Sequence, residues 1–185
     1  MDGLTRLTDG VVVLRPLDLG DIAEHLAGED EELVRWLNGG PGTHETVEAH
    51  VRACMAAWQA GGPTITFGIC AGVPERLVGT VDAHLELAGL EPGQANIAYG
   101  LYPEARGRGL ASRAVALMCT FLATRHGVRE AIIRTEPANA ASVAVALRTG
   151  FRLARRGGEG ELNWYVRDLA GASAPIAPYS AGNGD

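Results

Sequence analysis

Lysine is absent: all 16 basic residues of the 185-residue chain are arginine. A Schiff-base lysine, a pyridoxal phosphate site and a lysine-bearing phosphate loop are therefore excluded together. Cysteine is scarce. Cys54, Cys70 and Cys119 are widely spaced with no CxxC pair, so neither a disulfide framework nor a zinc site is indicated, and each reads as a buried, reduced thiol. No apolar run reaches the roughly 18 residues of a membrane span. Met1-Asp2-Gly3-Leu4-Thr5 lacks the basic and apolar regions of a secretory signal. These absences predict a cytoplasmic protein with no membrane partner and no metal. Positive charge is also short. The net charge of −6 and pI near 5.4 argue against nucleic acid, which needs a basic face, and leave room for a cationic substrate.

What is present suits one globular domain. Hydrophobic residues make up 46% and charged residues 21%, and the length can bury a core of ordinary size. The domain is expected over residues 1–169. Ala170 to Asp185, rich in Ala, Gly, Ser and Pro, is expected to be a disordered tail.

Periodicity alternates along the chain. Val11 to Leu14 reads as a strand that stops at Arg15-Pro16. Asp18, with Asp21 three residues on, caps a helix carrying Leu19, Ile22, Ala23 and Leu26. A second short helix is expected from Glu31 to Leu37. Thr43 caps a third, with Val47, Val51, Cys54, Met55 and Trp58 on one stripe. Strands follow at Thr64–Ala71, Leu77–Leu87 and Ala95–Tyr102, joined by turns as an antiparallel meander. In the second of these, Val81, Ala83, Leu85 and Leu87 face one way, and Thr80, Asp82, His84 and Glu86 the other. Gly109 opens a helix to about Arg125, buried through Leu110, Ala114, Leu117, Met118, Phe121 and Leu122. Glu130–Thr135 is a strand reached by a parallel crossover. Asn139 starts a helix that ends at Gly150, and Phe151–Arg155 and Leu162–Asp168 are the last strands.

One segment carries chemistry. In Ile97-Ala98-Tyr99-Gly100-Leu101-Tyr102-Pro103-Glu104-Ala105-Arg106-Gly107-Arg108-Gly109-Leu110-Ala111-Ser112 a strand enters a glycine-rich turn and then a helix. Unpaired N–H groups and the helix dipole meet at one spot, which makes an anion site suited to a pyrophosphate. Gly107 and Gly109 let backbone approach phosphate, and Arg106 and Arg108 offer charge-assisted donors. A dinucleotide-binding fingerprint fits poorly, because Ser112 stands where its third small residue belongs and the segment lies late in the chain. A plain Arg/Gly turn is the unadorned alternative.

Arg106-Gly107-Arg108-Gly109-Leu110-Ala111 has the form R-x-x-G-x-A. A second element, Asn139-Ala140-Ala141-Ser142 followed by Leu147-Arg148-Thr149-Gly150-Phe151, has the form N-x-x-S…L-R-x-G-F. With both, the sequence resembles the GNAT N-acetyltransferase superfamily, and within it the RimJ/RimL-like branch, over about Val11 to Asp168. The resemblance implies an α+β fold: a mixed, mostly antiparallel sheet of six or seven strands, flanked by helices and splayed between the fourth and fifth. It implies acetyl-CoA as acetyl donor. The pyrophosphate would lie on Arg106, Gly107, Arg108, Gly109, Leu110, Ala111 and Ser112, and the pantetheine arm beside Leu101, Tyr102, Asn139 and Ser142. Ser142 would protonate the leaving thiolate, or merely reinforce the helix start. A backbone N–H near Leu101 would hold the oxyanion.

The general base is open. Asn96 stands where the branch has a glutamate, and an amide can hold a water or an amine but cannot take a proton. Attention moves to Asp82 or His84, expected in the cleft, with Glu86 behind them. Glu32, Trp36, Asp82, Glu86 and Tyr165 are expected to line the acceptor site, and the loop Gly39 to Thr43 could act as a lid. Acidic residues from Glu29 to Glu48 favour a cationic small amine such as an aminoglycoside antibiotic. A ribosomal-protein N-terminus is the alternative, and a non-catalytic acyl-CoA-binding module is the alternative of another class. A homodimer is left open.

Overall fold

The computed structural model describes residues 5–35, 41–158 and 160–170. Trp36, the end of the second helix at Leu37, Gly39 and Gly40 of the expected lid, Glu159 of the last turn, the opening Met1-Asp2-Gly3-Leu4 and the tail from residue 171 lie outside the described residues.

Eight strands form one sheet: β1 (Leu7–Thr8), β2 (Val12–Pro16), β3 (Thr64–Ala71), β4 (Arg76–His84), β5 (Gln94–Leu101), β6 (Glu130–Thr135), β7 (Arg152–Arg155) and β8 (Asn163–Asp168). Their order is β1-β2-β3-β4-β5-β6-β8-β7. Every pairing is antiparallel except β5 with β6. The mixed sheet agrees with the sequence, but there are eight strands rather than six or seven. The addition is β1, whose two residues are too few to show a period and which pairs with Val13 and Leu14.

Helices α1 (Ile22–Gly28), α2 (Glu31–Leu33) and α3 (His44–Ala60) precede β3, α4 (Leu110–Ala123) joins β5 to β6, and α5 (Ala140–Arg148) follows β6. Local chemistry places their starts. Asp18 and Asp21 form a reciprocal cap before α1, and Thr43 and Thr46 do the same for α3. Asp21 is buried and takes two bonds from Arg15, at 2.8 and 2.6 Å, so the first helix is tied to β2 by a fork-to-carboxylate pair.

The helices divide between the two sheet faces. Phe67, Ile69, Val81, Ala83 and Ile97 pack with Leu110, Ala114, Met118 and Leu122 of α4. Leu17, Cys70 and Leu77 pack with Ile22 of α1 and with Val47, Val51 and Cys54 of α3. The alternation read from Val81 and Ala83 holds, but β4 ends at His84 instead of Leu87. Its neighbour begins at Thr64 because Pro63 has no N–H for a further rung, and Leu85 N–H closes the ladder on the Pro63 carbonyl at 2.8 Å. Cys54, Cys70 and Cys119 are buried free thiols. Burial pushes the Cys70 and Cys119 thiols up to about 11. Among the described residues, no helix is long and apolar enough to cross a membrane.

The tightest aromatic packing is at Phe67, fully buried, with Trp58 at 4.9 Å and Phe121 at 5.2 Å between ring centroids, both edge-on. It joins α3, β3 and α4. Phe67→Ala is expected to lower the unfolding free energy by about 3–5 kcal/mol, measured by urea denaturation.

Candidate active site

The two parallel strands part after three rungs. β5 and β6 pair at Gln94–Glu130, Ala95–Ala131 and Asn96–Ile132, and no further. From Ile97 to Leu101, β5 keeps only β4 as a neighbour. Antiparallel bonding serves alternate residues. Tyr102 N–H bonds back to Val78, so Leu101, Tyr99 and Ile97 turn their peptide groups into the gap. Arg106 Nε donates to the Leu101 carbonyl from that side at 3.0 Å. The gap widens into a cleft of about 550 Å³ lined by Ile97 to Leu101 of β5, Ile133 to Thr135 of β6, and the starts of α4 and α5. It reaches Glu32 and Leu33 of α2. Unpaired peptide groups along a strand edge are what an extended, amide-bearing ligand can complete.

At one end of the gap, Pro103–Ala105 makes a tight turn and the chain enters α4 through Gly107 (φ +72°) and Gly109 (φ +75°). Both glycines are left-handed, which explains their residue type. No protein atom lies within 4 Å of where a Cβ would stand on either, so the concave side of the turn is open. α4 has no side-chain cap and no acidic residue in its first turn. Its first N–H groups, on Leu110, Ala111 and Ser112, therefore face an anion-sized opening with the dipole behind them.

The two arginines of the turn behave differently from the expectation. Arg106 does not present itself to the anion site. Its guanidinium bonds Asp30 through both nitrogens at 2.7 and 2.8 Å, Glu32 at 2.8 Å and the Leu101 carbonyl. Four acceptor contacts leave it as a clamp that ties α2 to the end of β5. It also holds the Asp30 carboxyl below the usual carboxylate range. Arg108 is exposed, does not line the cleft, and has no partner among the described residues. Tyr102 is buried behind the cleft, its hydroxyl 3.0 Å from His25 Nδ1, so only its neighbour Leu101 lines the gap.

Asn139 caps α5, its Oδ1 accepting from Ser142 N–H at 3.0 Å. Its Nδ2 has no partner among the described residues and is the donor left for a ligand. Ser142 lines the cleft, and its Oγ lies 3.0 Å from the Tyr99 hydroxyl. Burial pushes the Tyr99 phenol up to about 12, so it stays protonated and can donate to the serine. The sequence reading missed Tyr99. Its signal was available, since Tyr99 shares a face with Ile97, but its meeting with Ser142 spans 43 residues.

The base candidates sit behind the gap. Asp82 faces away from α4, pairs with Ala98 across β4 and β5, and accepts from the Thr66 hydroxyl at 2.6 Å. It does not line the cleft. Its carboxyl is pushed up by burial, which outweighs the Thr66 bond and the His84 and His50 charges. His84 Nδ1 is 3.3 Å from Thr64 Oγ1 and also lies outside the lining. Glu86 is exposed beyond the end of β4. Asn96 is buried at the last parallel rung, does not line the cleft, and its Oδ1 accepts from Arg134 Nε at 3.2 Å. Tyr165 is a core residue opposite Ile133, on the α4 side of the sheet, and leaves the acceptor set. Glu32 remains at the cleft but is bonded to Arg106.

A sheet parted at its parallel joint, with an anion-binding helix start at the end of the gap, defines a site for a long donor carrying amides and phosphate. The family comparison names that class: the model of the acetyltransferase (GNAT) domain matches residues 12–152, and the chain belongs to the GNAT acetyltransferase family. Solved structures share the fold. RimL, a ribosomal L7/L12 alpha-N-protein acetyltransferase in complex with coenzyme A, is 20% identical with a TM-score of 0.74, over 89% of this chain and 98% of that one. RimJ of Mycobacterium smegmatis, in complex with a CoA disulfide, is 21% identical with a TM-score of 0.73, over 90% and 86%. MccE, a microcin C7 self-immunity acetyltransferase in complex with acetyl-CoA and AMP, is 17% identical with a TM-score of 0.72, over 86% and 93%. No curated protein matches.

Asp82→Asn keeps an acceptor for Thr66 and removes the charge. Because the folded carboxyl titrates above the unfolded one, Asp82 favours folding below the ordinary Asp range, and that contribution is lost as pH rises through the raised value. The variant is expected to melt at a higher temperature than wild type at neutral pH and to lose this advantage in acid. Thermal melts at both pH values check it, and an equal difference at both contradicts it.

Proposed function

We propose that the chain moves the acetyl group of acetyl-CoA onto the primary amine at a peptide N-terminus. One observation carries the donor half: the peptide groups of Ile97, Tyr99 and Leu101 that face the gap beside an uncapped helix start. The former suit the pantetheine amides and the latter the diphosphate. RimL, RimJ and MccE, which share this fold, bind coenzyme A or acetyl-CoA.

In the reaction the amine nitrogen bonds to the thioester carbonyl carbon, the carbonyl oxygen gains charge, and the carbon–sulfur bond then breaks. The Leu101 N–H points into the gap and is the donor for that oxygen. Ser142 gives its proton to the departing thiolate, and Tyr99, hydrogen-bonded to Ser142, steadies the hydroxyl and shares the proton. The amine proton leaves through water in the cleft, and water returns a proton to the Ser142–Tyr99 pair.

The acceptor half rests on charge. Part of the acidic stretch that favoured an aminoglycoside is occupied: Asp30 and Glu32 share Arg106, and Glu48 pairs with Arg52. A polycation loses part of its attraction, and a peptide amine, as in the acceptors named for RimL, fits better. The test incubates the protein and acetyl-CoA with serine-initiated peptides and with an aminoglycoside, reading released thiol and acceptor mass. Acetylated peptide is the expected result. Acetylation of the aminoglycoside alone restores the cationic acceptor, and no thiol release with any amine leaves an acyl-CoA-binding module.

Three substitutions probe the parts. Ser142→Ala and Tyr99→Phe are expected to lower kcat by about tenfold or more while CoA affinity, measured by calorimetry, stays nearly intact. Equal loss of both reduces the pair to a structural role. Gly109→Ala is expected to lower the unfolding free energy by about 1 kcal/mol, from its left-handed backbone, and to weaken CoA binding by a larger factor, because the methyl occupies the open side of the turn.

A further inference from the structure

On the sheet face opposite α4, three side chains stand in one cross-strand row. Arg134 of β6 pairs with Trp164 of β8, and Trp164 with Arg155 of β7. Both guanidinium groups lie over the indole ring, Arg155 at 4.1 Å and Arg134 at 5.1 Å from its centroid. The stack has two further contacts: Arg134 Nε donates to Asn96 Oδ1 at 3.2 Å and Nη1 reaches the Ala88 carbonyl at 3.4 Å. All these partners are neutral. Among the described residues neither arginine has an ion pair, whereas Arg6, Arg15, Arg52, Arg76, Arg106 and Arg113 each bond a carboxylate. The second arginine makes matters worse for the first, since burial and the Arg155 charge both push the Arg134 guanidinium down from its usual value.

Arg134 lines the cleft, on the side where α2 approaches it. The diphosphate turn opens from α4, on the other face, so this is the side left for the acceptor. The carboxylates lining the cleft do not neutralise the pair: Glu32 is bonded to Arg106, and Glu136 has no ion pair with either arginine. Two cations on one ring, one of them half-buried, without a counterion among the described residues, are unfavourable in the free protein. A ligand that brings an anion removes that cost.

We infer that Arg134, fixed by Asn96 and Trp164 and reinforced by Arg155, receives a carboxylate of the acceptor, so that the preferred peptides carry an acidic residue close behind the reacting N-terminus. This rests on the peptide reading above and narrows it. It also reverses the charge preference suggested by the acidic stretch in the sequence. An arginine fork held by neutral hydrogen bonds and a ring still has N–H groups left to donate, which suits carboxylate recognition.

The test uses two serine-initiated peptides identical except for Asp or Asn at the second and third positions. Wild-type protein is expected to acetylate the acidic peptide with a kcat/KM about tenfold higher or more, and raised salt is expected to shrink the ratio. In Arg134→Met the acidic-to-neutral ratio is expected to fall to near one. Because the ratio is internal to each variant, a general loss of activity does not imitate this result. Arg155→Met, on the exposed edge strand β7, is expected to lower the ratio part of the way and covers the case in which Arg134→Met does not fold. Binding is read separately, by calorimetry of the CoA-loaded protein with the same peptides. Equal affinity for the acidic and neutral forms overturns the anion site, whether or not acetyl is transferred. Acetylation of neither peptide, with tighter binding of the acidic one, keeps the site and overturns the peptide reading instead.

Discussion

The failure of β5 and β6 to stay paired beyond Asn96 and Ile132 organises the molecule. A parallel pair inside a sheet normally satisfies every peptide group along its length. Here five residues of β5 lose one neighbour, and a cleft stands where the ladder would have been. The cost of unpaired peptide groups is limited because they face an opening and not a dry core. Tyr99, Ser142 and Asn139 occupy the edge of that opening, and α4 begins at its end. The donor-binding strip, the anion site and the serine–tyrosine pair are consequences of one interrupted ladder.

Charge is sorted around this gap by saturation. Arg106 sits in the motif that suggests phosphate binding, yet Asp30, Glu32 and the Leu101 carbonyl take up its donors. The clamp fixes α2 against the end of β5 and engages two carboxylates, offsetting one of their two charges. What the turn offers an anion is backbone, shaped by two left-handed glycines. Arg134 is the counterpart on the other face: buried in part, oriented by neutral groups, and without a carboxylate among the described residues. The local charge at the cleft is thus opposite to what the net charge of −6 suggests.

Much of the architecture was legible in sequence because it is set locally. Asp18, Thr43 and Asn139 cap helices through their own side chains. The β3 and β6 boundaries follow from short apolar runs between strong breakers, and the buried face of α4 follows from its period. The R-x-x-G-x-A and N-x-x-S strings marked the donor end of the site for the same reason, since turn and helix start lie within a few residues. β1 was missed because two residues carry no period, and β4 was drawn too long because its end depends on Pro63, some 20 residues earlier.

By itself the sequence determined the order of elements, the anion-binding turn, the serine at the start of α5 and the membership these strings imply. Those features depend on neighbours in the chain and on backbone conformations that glycine alone adopts readily. Tertiary structure decided which of the charged and polar groups face the cleft and which are engaged elsewhere. It turned Asp82 toward Thr66, buried Asn96 under Arg134, withdrew Tyr165 into the core, bound Arg106 to α2 and brought Tyr99 to Ser142. Each outcome pairs residues far apart in sequence, and a side chain's chemistry is set by the partner it finds across that distance.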